Sequence, residues 1–221
     1  MCGRARLSSD VSEIKIAFSI PPERPAPNIR ANWNMAPTQD GAVVRYDADE
    51  AERSLDVMRW GLVPFWAKDI KIGYSTFNAK AEGIDAKPVF REPFKRRRCL
   101  VPLDSFYEWK KVGKEKQPYA LALADRHLMA MAGLWETWRS PAGETVRSFT
   151  IITTTPNTLC AEIHDRMPVI LKPETWSAWL GEEPGSVSAL KGMLVPYPAD
   201  EMTCWPGARG SAMSKITTRA S

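Results

Sequence analysis

The chain has 221 residues, 44% of them hydrophobic, which suits one globular domain with a sizeable core. Its 30 Lys and Arg against 26 Asp and Glu leave a net charge of +4, which permits a polyanionic partner without requiring one. No apolar run approaches the length of a membrane span and no signal peptide is recognisable, so we expect a cytoplasmic protein with no membrane association.

The chain begins with Met1, Cys2, Gly3 and Arg4. Cys2 is small enough for an aminopeptidase to remove Met1, which would leave an α-amine and a thiol on one residue, a 1,2-aminothiol. The plainer interpretation is a small residue at a frayed chain end. Position alone does not separate the two.

The segment SSDVSEIKIAFSI predicts the first helix. Asp10 is a suitable N-cap with Glu13 three residues later, while Val11, Ile14 and Phe18 fall on one face. The proline-rich segment PPERPAP follows and ends the helix.

Strand-like runs dominate the rest of the chain. They are rich in β-branched and aromatic residues and are separated by Gly, Pro and Asp: AVVRY, LDVMRWGLV, RRRCLVPLDSFYEW, QPYALALA, HLMAMAGLWETW and TVRSFTIITT. In YALALA, Tyr119, Leu121 and Leu123 share one face and alanines the other, which predicts a half-buried strand. Short helices are predicted at PNTLCAEI, PETWSAWL and SVSALKGML.

The spacing between these strands, about ten residues, is too short for repeated βαβ units. We therefore predict an α+β fold, mainly an antiparallel and barrel-like sheet with a few short helices. One domain should span residues 1–197, followed by a tail over residues 198–221 of uncertain structure.

Three polar stretches are not explained by periodicity. Asn78 and Lys80 in STFNAKAE suit either a turn or a site. Glu108 lies between two aromatic residues, so it is either an exposed edge-strand carboxylate or a desolvated acid with a raised pKa. His164 in AEIHDRMPVIL is either a helix-capping histidine or a functional one.

Basic and aromatic residues suggest a possible nucleic-acid partner. The run from Lys95 to Arg98 is either a basic patch or a solvated strand end. Nine tryptophans supply core volume, but their flat faces also suit stacking with unpaired bases.

The four cysteines form no CxxC pair. Cys2, Cys99, Cys160 and Cys204 therefore indicate neither a zinc site nor a disulfide framework, and their spacing favours a reducing compartment. We expect no metal and no cofactor.

Taken together, the motifs resemble the SOS response-associated peptidase (SRAP) family. The matching stretches run in order from residue 2 to about residue 171: MCGR, NMAPTQ, MRWGLVPFWA, FNAKAE, RCLVPLDSFYEWK, MAGLWE and IHDRMPVIL. The resemblance implies a monomeric sensor of abasic sites in single-stranded DNA that joins itself covalently to them. Such a protein would be associated with the nucleoid when bound to DNA, or nuclear in a eukaryote.

Carried over by motif, the resemblance implies roles for ten residues. The catalytic residues would be Cys2, Asn78, Glu108 and His164. Six residues would bind DNA. The DNA backbone would be contacted by Arg4, Lys80 and Arg166, and the exposed bases would be bracketed by Pro37, Trp66 and Trp109. The family usually has arginine at the position of Lys80, so a forked phosphate contact would become a point-charge contact. The tail after Tyr197 does not resemble the family's usual ending.

An abasic deoxyribose opens to an aldehyde, and an α-amine is a suitable nucleophile for it. The thiol of Cys2 could then close on the imine to form a thiazolidine, with a minor lyase path open at the imine stage. Two alternatives stay open: an N-terminal-nucleophile cysteine peptidase or amidohydrolase, and a noncatalytic DNA-binding module.

Overall fold

The computed structural model describes residues 2–207, which form twelve strands and five α-helices. The strands are β1 (Ala5–Leu7), β2 (Asn32–Met35), β3 (Asp40–Asp47), β4 (Glu52–Trp60), β5 (Asn78–Lys80), β6 (Arg98–Leu103), β7 (Ser105–Val112), β8 (Glu115–Leu123), β9 (Met129–Arg139), β10 (Thr145–Thr154), β11 (Met167–Pro168) and β12 (Met202–Pro206). The α-helices are α1 (Val11–Ala17), α2 (Pro88–Arg96), α3 (Thr158–Ala161), α4 (Trp176–Leu180) and α5 (Val187–Gly192). Short 3₁₀ helices lie at Ile70–Tyr74, Pro173–Thr175 and Ala199–Glu201.

Five strands close into a barrel. Neighbours pair in the order β10, β4, β3, β6 and β9, and β9 pairs back to β10. Most pairs are antiparallel, whereas β10 runs parallel to β4 and to β5. The predicted α+β fold, mainly antiparallel and barrel-like with few short helices, is confirmed.

A second sheet packs with the barrel around one continuous core. Its strand order is β12, β8, β7, β1 and β2. Phe106 of this sheet and Trp60 and Phe149 of the barrel are all fully buried and belong to the same apolar cluster. The two sheets therefore form a single domain, as predicted.

The first helix forms as its sequence predicts. Asp10 accepts a hydrogen bond from the Glu13 amide at 2.9 Å, and the Glu13 carboxylate accepts one from the Asp10 amide, which completes a capping box. Ile14 and Phe18 are fully buried, so the predicted apolar face is the one that packs on the core.

Two strand predictions need correction. The run from Arg96 to Trp109 is not one strand, because the chain leaves the barrel at Asp104 and enters the second sheet. Strand β8 is not half-buried: Ala120 is 3% exposed because Tyr107 and Trp205 lie beside it in register on the two flanking strands. Large side chains on both neighbouring strands cover the small alanines. The face that the alternating sequence pattern alone assigns to solvent is therefore buried.

Helix α2 has no counterpart among the predicted elements. Pro93 lies inside it, and proline is an unfavourable helix residue, but Phe90 and Phe94 bury one face. The basic run at its end is partly structural. Arg97 pairs with Glu136 at 2.7 Å, and Arg98 donates to the backbone carbonyls of Phe94, Lys95 and Trp179.

The segment after Tyr197, for which the sequence predicts no defined structure, contains a short 3₁₀ helix and strand β12. Strand β12 pairs along β8 from Met202 opposite Leu123 to Pro206 opposite Tyr119. Residues 208–221 of the predicted tail lie outside the described residues. Within residues 2–207, no helix has the length and apolar character needed to span a membrane.

Candidate functional site

Strand pairing at the N-terminus brings Cys2 to Glu108. Ala5 of β1 lies opposite Phe106 of β7, and the Tyr107 amide donates to the Arg4 carbonyl at 2.9 Å. This register continues the N-terminal segment along β7 toward Glu108. Cys2 is fully buried and Glu108 is 4% exposed, so the two polar groups meet in an apolar environment.

Burial raises the pKa of both groups. Burial is the main reason that the pKa of Glu108 lies above its ordinary value, although the nearby His164 acts in the opposite direction. Burial, followed by the negative charge of Glu108, raises the pKa of the Cys2 thiol, and a hydrogen bond from the Arg4 backbone offsets this only in part. The thiol is therefore neutral at physiological pH, and Glu108 is poised to exchange a proton.

His164 faces the same carboxylate. The side chain of Asn157 caps α3 by accepting from the Cys160 amide at 2.8 Å, and the chain leaves the helix with the His164 amide bonded to the Cys160 carbonyl. His164 Nε2 lies 4.0 Å from Glu108 Oε2. Its backbone thus lies just beyond the C-terminal end of α3, while its side chain turns toward the buried acid.

Asn78 presents an unused acceptor. It lies on β5 opposite Ile151 of β10, and its Nδ2 atom donates to the Ile151 carbonyl at 3.4 Å. Its Oδ1 atom is buried and has no hydrogen-bond partner among residues 2–207. A buried acceptor without a donor costs folding free energy. The Oδ1 atom is therefore suited to accept a hydrogen bond from a further N–H group.

Lys80 and Arg166, which were predicted to bind the DNA backbone, differ in how accessible their charged groups are. Lys80 is exposed at the end of β5. Arg166, just before β11, is 13% exposed and already bonded, through Nη1 and Nη2, to the carboxylate of Glu82 at 2.7 and 2.9 Å. Arg4 is half-buried beside Tyr107. Lys80 is therefore the most accessible of the three.

The predicted base-bracketing residues lie mainly on two neighbouring loops. Pro37 is in the β2–β3 turn, which is joined to the end of β4 by a bond from the Thr38 amide to the Trp60 carbonyl at 2.7 Å. The next loop carries Trp66, which is 49% exposed. Trp109 lies elsewhere, half-buried on β7 beside the Glu108 position.

Phe65 belongs to the VPFW stretch, whose aromatic residues the family resemblance places around the bases, and it is 61% exposed next to Trp66. One residue of this region, Glu82, was given no role by its sequence. Glu82 closes the FNAKAE stretch, and only the fold reveals that it meets Arg166, which is 84 residues later.

In the part of the chain that the structure describes, the main cavities are not lined by Cys2, Asn78, Glu108 or His164. One of about 480 Å³ is lined by the segment around Asn28 to Trp33 together with Asp40 and Val57. Within residues 2–207, no group of three or more His, Cys, Asp or Glu side chains could hold a metal ion. All four cysteines are unpaired.

The chain matches known proteins over most of its length. A model described as SOS response associated peptidase (SRAP) matches residues 1–209. The chain belongs to this family. The SRAP match extends through β12, beyond the residues that carry the sequence motifs.

Several curated proteins are similar over most of the SRAP chain. Abasic site processing protein YoqW of Bacillus subtilis (strain 168) is 43% identical over 206 residues, covering 93% of this chain and 91% of that protein. Abasic site processing protein HMCES of Xenopus tropicalis is 30% identical over 246 aligned residues, covering 93% and 73%. A crystal structure of a Bacteroides thetaiotaomicron protein superimposes with a TM-score of 0.84 at 28% identity, covering 96% and 94% of the two chains.

Proposed function

We propose that this protein processes abasic sites in DNA by forming a covalent thiazolidine through Cys2 after Met1 is removed. The proposal rests on SRAP membership, on relatives named abasic site processing proteins, and on one observation of geometry. Cys2 is buried beside Glu108, which in turn lies 4.0 Å from His164, so a nucleophile and two proton-exchanging groups occupy one site.

In the proposed reaction, the α-amine of Cys2 attacks C1′ of the open-chain sugar aldehyde. The resulting carbinolamine loses water to give an imine. The Cys2 sulfur then adds to the imine carbon while its proton passes to the nitrogen, which closes a five-membered ring. The overall change is condensation of aldehyde and aminothiol with release of one water.

Glu108 is our candidate for the proton transfers at the amine and the departing hydroxyl. A carboxyl group with a raised pKa can accept a proton from the amine and return it to the leaving oxygen. His164 would deliver the proton that opens the sugar ring. The buried Oδ1 of Asn78 would accept from the Cys2 amine and orient it.

The thiol supports this order of steps over peptidase chemistry. A cysteine peptidase needs a thiolate, which forms where positive charge lowers the thiol pKa. Here burial, followed by the charge of Glu108, raises it, and these effects outweigh the opposing positive charge of the N-terminal amine. A neutral thiol suits a reaction in which the amine attacks first and the sulfur enters only at the imine.

The test is incubation of the purified protein with a single-stranded oligonucleotide that carries one abasic site, followed by a denaturing gel. We expect a slower-migrating adduct with the abasic strand and none with an intact strand. Cys2→Ser keeps the amine and should give an adduct only after borohydride reduction, because it lacks the sulfur that closes the ring. Absence of any adduct with the abasic strand would contradict the proposal.

A further inference from the structure

Glu82 holds the Arg166 guanidinium in a two-pronged ion pair. The carboxylate oxygens accept from Nη1 and Nη2 at 2.7 and 2.9 Å, a fork-to-fork geometry that fixes orientation as well as charge. Arg166 Nη2 also donates to the Thr153 carbonyl. Thr153 of β10 lies opposite Lys80 of β5 and Pro168 of β11, so the guanidinium lies where three strands meet.

The backbone of Arg166 in turn contacts His164. The Arg166 amide donates to His164 Nδ1 at 3.1 Å. An amide N–H can only donate, so this bond requires Nδ1 to be unprotonated and places the proton of the neutral ring on Nε2. Nε2 is the atom that faces Glu108.

A second partner competes for the same nitrogen. Asp165 Oδ1 lies 2.9 Å from His164 Nδ1, and a carboxylate there favours the opposite tautomer, with the proton on Nδ1. The Asp165 side chain is 88% exposed, so water screens and competes with this contact. The Arg166 amide is part of the backbone, and the side chain of the same residue is anchored by Glu82 and by the Thr153 carbonyl.

We propose that Glu82 is a positioning residue: by anchoring Arg166 it keeps the Arg166 amide on His164 Nδ1 and so keeps the Nε2 proton directed at Glu108. Its effect on adduct formation rests on the proposed function, whereas its effect on the tautomer does not. Arg166 lowers the pKa of Glu82 to about 2, so the ion pair stays intact throughout the neutral range.

The tautomer can be read directly by nitrogen NMR of histidine-labelled protein at pH 8. The chain has two histidines, and His127, on an exposed turn, serves as an internal reference. We expect the Nε2–H form of His164 in the wild type, and a shift toward the Nδ1–H form in Glu82→Ala and Glu82→Gln. Glu92→Ala, which removes an exposed carboxylate paired with Arg91 and Lys95 on α2, is the matched control and should leave His164 unchanged.

The same variants should slow single-turnover adduct formation by about tenfold, less than the 10²–10⁴-fold expected for loss of a general acid or base. An unchanged His164 tautomer in folded Glu82→Ala would overturn the inference; Glu82→Gln, which keeps the size of the side chain, gives the same reading if the alanine variant does not fold. Failure of the wild type to form an adduct would instead refute the proposed function, because the tautomer is measured without DNA.

Discussion

At the scale of single residues, Glu108 carries a conflict between stability and chemistry. Its carboxyl group is 4% exposed, and burial raises its pKa above the ordinary value of 4.5. Between the unfolded and folded pKa values the folded chain binds more protons than the unfolded chain. Stability contributed by protonated Glu108 is therefore lost as the pH rises through the folded pKa.

Glu108→Gln should separate the two properties. Removing the ionisable group should raise the melting temperature at pH 8 relative to wild type, and this advantage should shrink as the pH falls toward 5. Adduct formation should slow by a factor of about 10²–10⁴. Thermal unfolding at several pH values and single-turnover kinetics measure the two effects; a variant less stable than wild type at pH 8, or one with a wild-type rate, would contradict this account.

At the scale of elements, the loop that carries Phe65 and Trp66 is held at its base by a close backbone approach. Gly61 has φ +123°, and a Cβ there would lie 2.5 Å from the Gly73 carbonyl oxygen. The loop is anchored further by Trp138 Nε1, which donates to the Ala67 carbonyl at 2.7 Å. These contacts present the two aromatic side chains to solvent on a fixed support.

Gly61→Ala should therefore destabilise the protein and disturb the loop. Gly113→Ala is the matched control, because Gly113 also has a positive φ of +62° but open space around its Cβ position. We expect about 1–2 kcal/mol of destabilisation for the control from backbone strain alone, and more for Gly61→Ala because of the steric overlap. Denaturant unfolding gives both values, and equal losses would show that the close approach is not restrictive.

Elements with a clear local signal were predictable, and those that depend on distant partners were not. The capping box of α1 and the strands β3, β9 and β10, rich in apolar, β-branched or aromatic residues, form where their sequences predict. Helix α2 was missed because Pro93 argues locally against a helix that tertiary burial of Phe90 and Phe94 stabilises. The parallel pairing of β10 with β5 has no local signal, since the paired residues lie more than seventy positions apart in the chain.

The candidate site follows the same division. The residue types of Cys2, Asn78, Glu108 and His164 could be selected from the motif resemblance, and the fold adds which of them meet. Burial of Glu108 resolves the two interpretations of its sequence in favour of the desolvated acid. The ion pair of Glu82 with Arg166 could not be predicted, because the two residues lie 84 positions apart. The family resemblance also assigns Arg166 to the DNA backbone and not to a carboxylate of the protein.

At the scale of the whole molecule, the available positive charge sets the salt dependence of DNA binding. Among residues 2–207, Arg4 and Lys80 form no ion pair with a carboxylate, although Lys80 lies within electrostatic reach of Glu82, whereas Arg166 is held by Glu82. Two phosphate contacts imply a log–log slope of about −1.4 on single strands, against about −2 for three, at roughly −0.7 per contact.

We expect the smaller slope, together with weaker binding to fully paired duplex, in which the bases are not free to stack on Trp66. Lys80→Ala should reduce the slope by about 0.7, and Lys95→Ala, on the α2 surface, should not change it. The measurement is a salt titration with a Cys2→Ala variant, so that no covalent bond disturbs the equilibrium. A slope near zero, or equal affinity for duplex, would contradict binding of single strands through these groups.

The most direct test of the central claim is the intact mass of the denatured adduct, with a count of its reactive thiols. We expect one abasic strand joined to a chain that lacks Met1, with the loss of one water, and attachment at Cys2. Because the Cys2 sulfur is then part of the ring, only three of the four cysteines should react with an alkylating agent. An adduct that retains Met1, or one in which all four thiols remain reactive, would contradict it.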